Sequence, residues 1–469
     1  MISKELSFPQ DKILTLPNLT VSYIKCVFRK TDSYDCGKSI KKKLQNDAPQ
    51  PLSETPLCLT NILSTKILSE GKDVKTRMEI FIDIKDLEYH YLPGDTVGIL
   101  PENSENEVNL ILKLLGLQDK ADDILEISLS TANKKKIPLY ISEITTPRHL
   151  LKTCLDLRSI VKKGFIRALL EFTEDTTEKR RLEEFCCREG SSEYNKYILE
   201  NSTCLLDILE TFQSCKPPLS LLIEHLPRLM PRAYSIASSP LVYPDSIRII
   251  FTIVQDNRGR DGICTSWLRG KANHLLDLSE QLNELSLTES EFKKIPIFLR
   301  KRTKFHIPVD LNSPIIMIGP GTGLAPFIGF LEQRNNQLIN KTISSSSDIL
   351  LFGCRYKNKD FIYKKDLEYY RDEKVLNELF ICFSRDNESD EDPKYVQDLF
   401  KKHKQNLVNL LINNDAYLFI CGDALNMAKD VQEVIVNSIS EVQGISNEEA
   451  INLLKDLENQ GRYVKDVWR

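Results

Sequence analysis

The residues Gly319-Pro320-Gly321-Thr322-Gly323 follow an apolar run, Ile315-Ile316-Met317-Ile318, and precede Leu324-Ala325-Pro326-Phe327-Ile328, which opens a helical pattern. A buried strand that feeds a glycine-rich turn and then a helix makes a phosphate cradle: glycines let backbone approach a ligand, and the first helical turn presents N–H groups to negative charge. Taken alone, the same residues also describe a tight turn against a sheet, and the spacing is not the G-x-G-x-x-G dinucleotide fingerprint. A second glycine-led helix start, Gly262-Ile263-Cys264-Thr265, offers another anion site. Between them in chemistry lies Arg232-Ala233-Tyr234-Ser235. An arginine fork suits a pyrophosphate, a tyrosine can stack on a flat heterocycle, and a serine can bond a ring nitrogen. An ordinary strand with one buried tyrosine would read the same way. Two cradles and an aromatic platform in one chain suit two dinucleotides.

These residues need elements to hold them. Three further apolar runs, at 349–352, 379–383 and 417–420, each end at small or polar residues, and helix-like stretches around 327–337, 396–411 and 426–439 separate them. Continuous apolar strands alternating with helices imply a parallel sheet covered on both faces, whose ligands bind at the strands' carboxyl ends. Upstream, 77–84 and 96–100 read as strands joined through Pro93-Gly94-Asp95. Helical patterns follow at 105–117, 142–160, 162–172, 178–188, 194–199 and 205–211, and strands return at 232–236 and 246–254. The expected architecture is α/β plus β-barrel: an antiparallel barrel interrupted by a helical insert, then a parallel-sheet domain. Residues 1–55 read as a linker with one strand near 21–28, residues 56–305 as the barrel with its insert at about 104–226, and residues 306–469 as the second domain. The polar stretch 271–294 reads as a surface excursion and 344–347 as a loop.

The bulk numbers narrow the classes. The 469 residues are 41% hydrophobic and 28% charged, as soluble globular chains are. A net charge of −4 gives no expectation of a nucleic-acid partner. There is no run of 18 apolar residues and no signal-peptide pattern, so no membrane span is expected. Twelve cysteines without a C-x-x-C pair and six histidines without ligand spacing give no disulfide framework and no metal site, and fit a reducing cytoplasm.

The motif order R-x-Y-S, G-x-C-T-x-W-L, G-P-G-T-G-x-A-P-F, G-C-R, S-R-D, K-Y-V-Q, C-G-D-A-x-N-M-A and a final D-V-W resembles the diflavin reductases, which share a ferredoxin–NADP⁺ reductase module, over about residues 60–469. Gly262-Ile263-Cys264-Thr265 and the segments around Ser384-Arg385-Asp386 and Pro393–Asp398 are most similar to the methionine synthase reductase branch. Microsomal haemoprotein reductases share many of the motifs. The resemblance implies hydride passage from NADPH to FAD, with methionine synthase, or another acceptor, reached through a flavodoxin-like FMN domain and cobalamin reactivated at the end. This chain has room only for a linker before the barrel, so FMN is expected on a longer form or a separate chain. A non-catalytic scaffold is the reading of another class.

By the same resemblance, Arg232, Ala233, Tyr234 and Ser235 hold FAD, with Ser235 near the reacting nitrogen, and Gly262, Ile263, Cys264 and Thr265 bind its pyrophosphate. Gly321 and Thr322 face the NADPH pyrophosphate. Ser384, Arg385, Lys394, Tyr395, Val396 and Gln397 surround the 2′-phosphate, where cations and hydroxyls suit a dianion. Lys75 adds a cation and Asp430 a nucleotide contact. Cys421 lies beside the nicotinamide, although a strand-end cysteine can equally be structural. Asp466 and Trp468 complete the catalytic group. A capping box at Ser446 and Glu449 opens a helix over 448–460, and a short strand at 462–464 carries the tail, so that Trp468 can cover the flavin and gate it.

Overall fold

The computed structural model describes residues 2–29, 43–130, 135–280, 294–308, 310, 312–341, 347–386, 389, 392–424 and 427–468, with backbone alone for 274–280. The chain divides into two compact units. One comprises Met1–Gln50, Leu100–Arg232 and Gln255–Leu268; the other comprises Pro51–Ile99, Ala233–Val254 and Arg269–Arg469.

The first unit is mostly helical. Helices Glu105–Leu114, Lys163–Leu169, Thr176–Cys186, Leu205–Thr211 and Leu219–His225 pack Ile111, Phe165, Leu182, Phe185, Ile208 and Leu222 into one core. A small antiparallel sheet joins β1 (Ile24–Phe28), β5 (Leu125–Leu129) and β6 (Ile144–Thr145), in that order. The expected helix over 142–160 is not continuous. Pro147 fixes a start behind the Thr146 cap, the chain widens into a π turn at Leu150–Cys154, and Leu155 is extended. The buried Asn103 amide donates to the Leu151 and Leu155 carbonyls at 2.7 Å each, so the helix can stop there without orphaned acceptors. The expected linker contributes packed chain. Besides β1, the Ser7 and Phe8 amides donate to the buried Glu184 carboxylate at 2.9 Å, and the fully buried Gln45 donates to the Thr153 and Leu229 carbonyls. Lys41 and Lys42 of the lysine run lie outside the described residues.

The second unit contains two sheets. The antiparallel one runs β7 (Arg232–Ser235), β4 (Thr96–Ile99), β9 (Lys294–Leu299), β2 (Cys58–Ser69), β3 (Arg77–Asp83), β8 (Ser246–Thr252). A bridge between Ile236 and Ile249, with the Ala237 amide donating to the Arg248 carbonyl, joins the two edges and closes the sheet into a barrel. Sequence patterning misses β2 and β9 for physical reasons. The register of β2 shifts twice against β3, between Ile62 and Ser64 and between Ile67 and Ser69, which destroys strict alternation. In β9, Pro296 sits inside the strand, opposite Leu59. Lys294, the last residue of the expected excursion, opens β9, and 271–280 continues the helix Ile263–Glu280; residues 281–293 lie outside the described set, as do 344–346 of the expected loop.

The parallel sheet has the order β12 (Glu378–Phe383), β11 (Ile349–Cys354), β10 (Ile315–Ile318), β13 (Tyr417–Asp423), β14 (Tyr463–Trp468). Its central strands β10, β11 and β13 are apolar along most of their length because both faces are covered. Ile316, Ile318, Ile349, Leu351, Leu418 and Ile420 face one core, and the intervening Ile315, Met317, Leu350, Phe352 and Phe419 face the other. Helices Ala325–Ile339 and Lys364–Asp372 cover the second face; Met427–Gln443 and Asn447–Asn459 cover the first. The single helix expected over 396–411 is two, Val396–Lys402 and Lys404–Asn413, broken at His403, whose ring stacks on Phe380 at 3.7 Å. The final strand runs on to Trp468, past the expected 464.

Barrel and parallel sheet share one unit because buried groups bind them together. Arg248 on β8 pairs with Glu332 on the helix Ala325–Ile339, and donates to the Ala237 carbonyl. Tyr363 donates to Glu79 on β3. Gly329 faces Ser238 so closely that an added Cβ would lie 3.0 Å from the Ser238 carbonyl oxygen.

Candidate active site

The glycine turn is shaped by the strand beside it. A Cβ on Gly323 would stand 2.2 Å from the Cys421 carbonyl oxygen of β13, and Gly321 adopts φ +58°, where side chains are strained. The turn can therefore sit directly on the carboxyl ends of β10 and β13, leading into the helix Ala325–Ile339.

A cavity of about 620 Å³ opens there. Gly321, Thr322, Ser384, Lys394, Tyr395, Val396, Gln397, Asp430, Trp468 and Lys75, all expected from sequence, line it. Arg77, Thr252, Arg355, Asp423 and Met427 also line it; none was assigned a role from sequence, although Arg355, Asp423 and Met427 lie in the G-C-R and C-G-D-A-x-N-M-A motifs. Arg385 is not among its lining residues; it is exposed, and its amide donates to the Arg355 carbonyl. Thus β11 ends in a cation of its own, in the Gly353-Cys354-Arg355 motif. The Lys394 and Tyr395 amides donate to the Asp398 carboxylate at 3.0 and 2.9 Å, which fixes the start of the helix Val396–Lys402. A volume of this order, three cations besides Arg77 and a glycine cradle fit the phosphates of a dinucleotide.

Beside the cavity, three sequence-predicted residues meet. Parallel pairing sets Cys421 opposite Asp466 and Asp423 opposite Trp468. Ser235 donates its hydroxyl to Asp466 at 2.6 Å, and the Cys421 sulfur lies 4.0 Å from the same carboxylate oxygen. Burial raises the Asp466 carboxyl above the ordinary carboxylate range, against the lowering effects of the Ser235 hydrogen bond and the Arg300 charge. Burial also pushes the Cys421 thiol far up, with the Asp466 charge adding to it, so the thiol stays protonated. Trp468 is 42% exposed.

The remaining FAD-directed residues divide between the units. Ala233, Tyr234 and Ser235 belong to the second; Tyr234 is half-buried and meets Phe251 edge to face at 6.2 Å. Arg232 and Gly262–Thr265 belong to the first. Arg232 donates to the Met230 carbonyl at 2.7 Å. Gly262 precedes the helix Ile263–Glu280, where Cys264 and Thr265 are buried and the Ser266 hydroxyl donates back to the Gly262 carbonyl at 2.8 Å. Among the described residues, no group of three or more His, Cys, Asp or Glu is placed to hold a metal ion, and no helix is long and apolar enough to cross a membrane.

Comparison with known proteins agrees with this geometry. The FAD binding domain family matches residues 50–267, and the oxidoreductase NAD-binding domain family matches residues 317–433. The chain is 37% identical to methionine synthase reductase of Rattus norvegicus over 469 residues, 97% of this chain and 66% of the relative. It is 39% identical to that of Mus musculus over 414 residues, 86% of this chain and 60% of the relative. Against NADPH–cytochrome P450 reductase of Cavia porcellus it is 32% identical over 435 residues, 91% and 61%. The chain thus spans 60–66% of the length of these relatives. With a closed antiparallel barrel and a two-sided parallel sheet, the chain joins a FAD binding domain to an oxidoreductase NAD-binding domain, and it is similar to these reductases over the parts of them that it spans.

Proposed function

We propose that this chain is an NADPH-dependent FAD reductase in which residues 56–305, with the insert at about 104–226, bind FAD and residues 306–469 bind NADPH. The observation that carries this is the junction of the Ser235–Asp466–Cys421 cluster with a cation-lined cavity at the carboxyl ends of the parallel strands. When bound, the two cofactors supply hydride transfer from the reduced nicotinamide to the flavin. Gly321 and Thr322 receive the pyrophosphate, and Lys394, Tyr395, Gln397 and Ser384 receive the 2′-phosphate, with Arg355 and Lys75 adding positive potential. An ionised Asp466 favours positive charge next to it, which is the charge a hydride donor leaves behind. Ser235 is oriented by its bond to Asp466, and the neutral Cys421 thiol fills the space without bringing a second charge. Trp468, at the cavity and partly exposed, is suited to cover the flavin and to yield to the nicotinamide.

The ultimate acceptor is proposed by relatedness. The rat and mouse methionine synthase reductases stand at 37% and 39% identity against 32% for the guinea-pig cytochrome P450 reductase, which favours methionine synthase with its cobalamin, reached through an FMN-bearing flavodoxin-like domain. Anaerobic mixing of the FAD-loaded chain with NADPH tests the core of the reading. Stoichiometric bleaching of the flavin band is expected, and a flavin that stays oxidised would sink it. Restoration of activity to oxidised methionine synthase, on adding an FMN-loaded flavodoxin domain, tests the acceptor.

A further inference from the structure

We infer that Arg77 on β3 is a nucleotide-binding residue whose guanidinium takes the pyrophosphate of the dinucleotide, so that the barrel supplies a phosphate ligand to the cavity of the parallel sheet. This rests on the proposed nucleotide reading of the cavity and assigns it a further residue.

Arg77 lines the cavity and is only 7% exposed. One end of its guanidinium is anchored: Nη1 donates to Asp360 at 3.1 Å and to the Ser69 hydroxyl at 3.2 Å. Asp360 is itself fixed, accepting from the Arg355 and Tyr356 amides at 3.1 and 2.7 Å. The other edge faces the glycine turn. A Cβ built on Gly321 would lie 3.4 Å from Nη2 and 3.9 Å from Nε, and Nε is buried with no hydrogen-bond partner among the described residues. An arginine already carrying one carboxylate, with a buried donor turned towards a phosphate cradle, is a preorganised half of a bidentate anion site. Leaving that donor unmatched costs free energy that a phosphate oxygen would recover.

The position selects the pyrophosphate over the 2′-phosphate. Gly321 follows β10, whereas Ser384 follows β12, two strands away in the sheet order, about 10 Å at the usual strand spacing. Arg77 therefore acts on phosphates common to NADPH and NADH, and Lys394 on the one that distinguishes them.

The test measures binding of NADP⁺, NAD⁺ and 2′-AMP to the FAD-loaded full chain. In Arg77→Gln, affinities for NADP⁺ and NAD⁺ are expected to fall by the same factor, about tenfold or more, while 2′-AMP, which lacks a pyrophosphate, binds as before. FAD content and melting temperature without nucleotide check the fold. Should Arg77→Gln fail to fold, Arg77→Lys keeps a cation for Asp360 but lacks Nε, and is expected to lose the two dinucleotides several-fold with 2′-AMP unchanged. Undiminished dinucleotide binding in the folded variant, or a loss that includes 2′-AMP, overturns the assignment. A wild-type chain that binds no NADP⁺, with Lys394→Ala equally inert, would instead overturn the nucleotide reading itself.

Discussion

Asp466 is placed where fold stability and chemistry pull in opposite directions. Burial raises its pKa, so just above the ordinary carboxylate range the folded chain keeps a proton that the unfolded chain has lost. The stability it contributes therefore declines as pH rises through that window and stays at the lower level beyond the raised pKa. Asp466→Asn keeps an acceptor for Ser235 without the charge, and is expected to melt at or above the wild-type temperature at neutral pH. Its flavin reduction by NADPH should be slower by on the order of tenfold, and the acid limb expected of the wild type above the ordinary carboxylate range should be absent. Stopped-flow reduction across pH, with parallel melts, checks both signs. A second residue-scale expectation separates two cations that sequence treats alike. Lys394 lines the cavity and Arg385 does not. Lys394→Ala should lower kcat/KM for NADPH by about tenfold or more, from a lost charge-assisted bond, and leave NADH nearly unchanged; Arg385→Ala should do less. Equal effects would place the 2′-phosphate outside the cavity. Most of the lining was legible in advance because the G-P-G-T-G, K-Y-V-Q and D-V-W motifs are local in sequence. Arg77 and Arg355 were not assigned: one lies inside an alternating strand, and the other needs the neighbouring strand's register to reveal what it faces.

Elements were legible where one rule governed them. The apolar runs of β10, β11 and β13 declared a sheet covered on both faces, and Ser446 with Glu449 declared a capped helix, which begins at Asn447 with the Glu449 amide bonded to the Ser446 hydroxyl at 3.2 Å. Illegible elements combined two rules: bulges in β2, a proline within β9, and the Asn103 amide that ends a helix from fifty residues away in sequence. The glycine turn shows how tightly elements are fitted. Gly323→Ala puts a methyl on the Cys421 carbonyl, and backbone must move. The expected cost is about 1–3 kcal/mol, seen as a lower melting temperature, together with a raised KM for NADPH while FAD stays bound. Between elements, Arg248 lies among the carboxylates of Glu79 and Glu332, and burial raises the Glu332 carboxyl even with the arginine present. Arg248→Met strands those groups and should destabilise the protein by about 3–5 kcal/mol in urea unfolding. The double variant Arg248→Met with Glu332→Leu should recover part of that loss; no recovery would mean that the pair is not what joins β8 to the helix Ala325–Ile339.

At the scale of the whole molecule, the deciding fact is which domains this chain carries. Its matched domains are a FAD binding domain and an oxidoreductase NAD-binding domain, and the chain spans 60–66% of the length of the reductases it matches. A hydride brings two electrons, whereas cytochrome c takes one at a time and is a protein that must dock. Ferricyanide is small enough to meet a flavin directly, without docking. With this 469-residue polypeptide loaded with FAD, NADPH should therefore drive rapid ferricyanide reduction and slow cytochrome c reduction. Adding an FMN-loaded flavodoxin domain should raise the cytochrome c rate, with saturation in the added domain and a fall in rate as salt rises, because docking of two charged surfaces is screened over about 8–10 Å at physiological ionic strength. Ferricyanide reduction should stay unchanged on the same addition, since it needs no docking. Fast cytochrome c reduction by the polypeptide alone would show that the FAD half delivers single electrons to protein acceptors itself, and the relay proposed for methionine synthase would then need no second flavin.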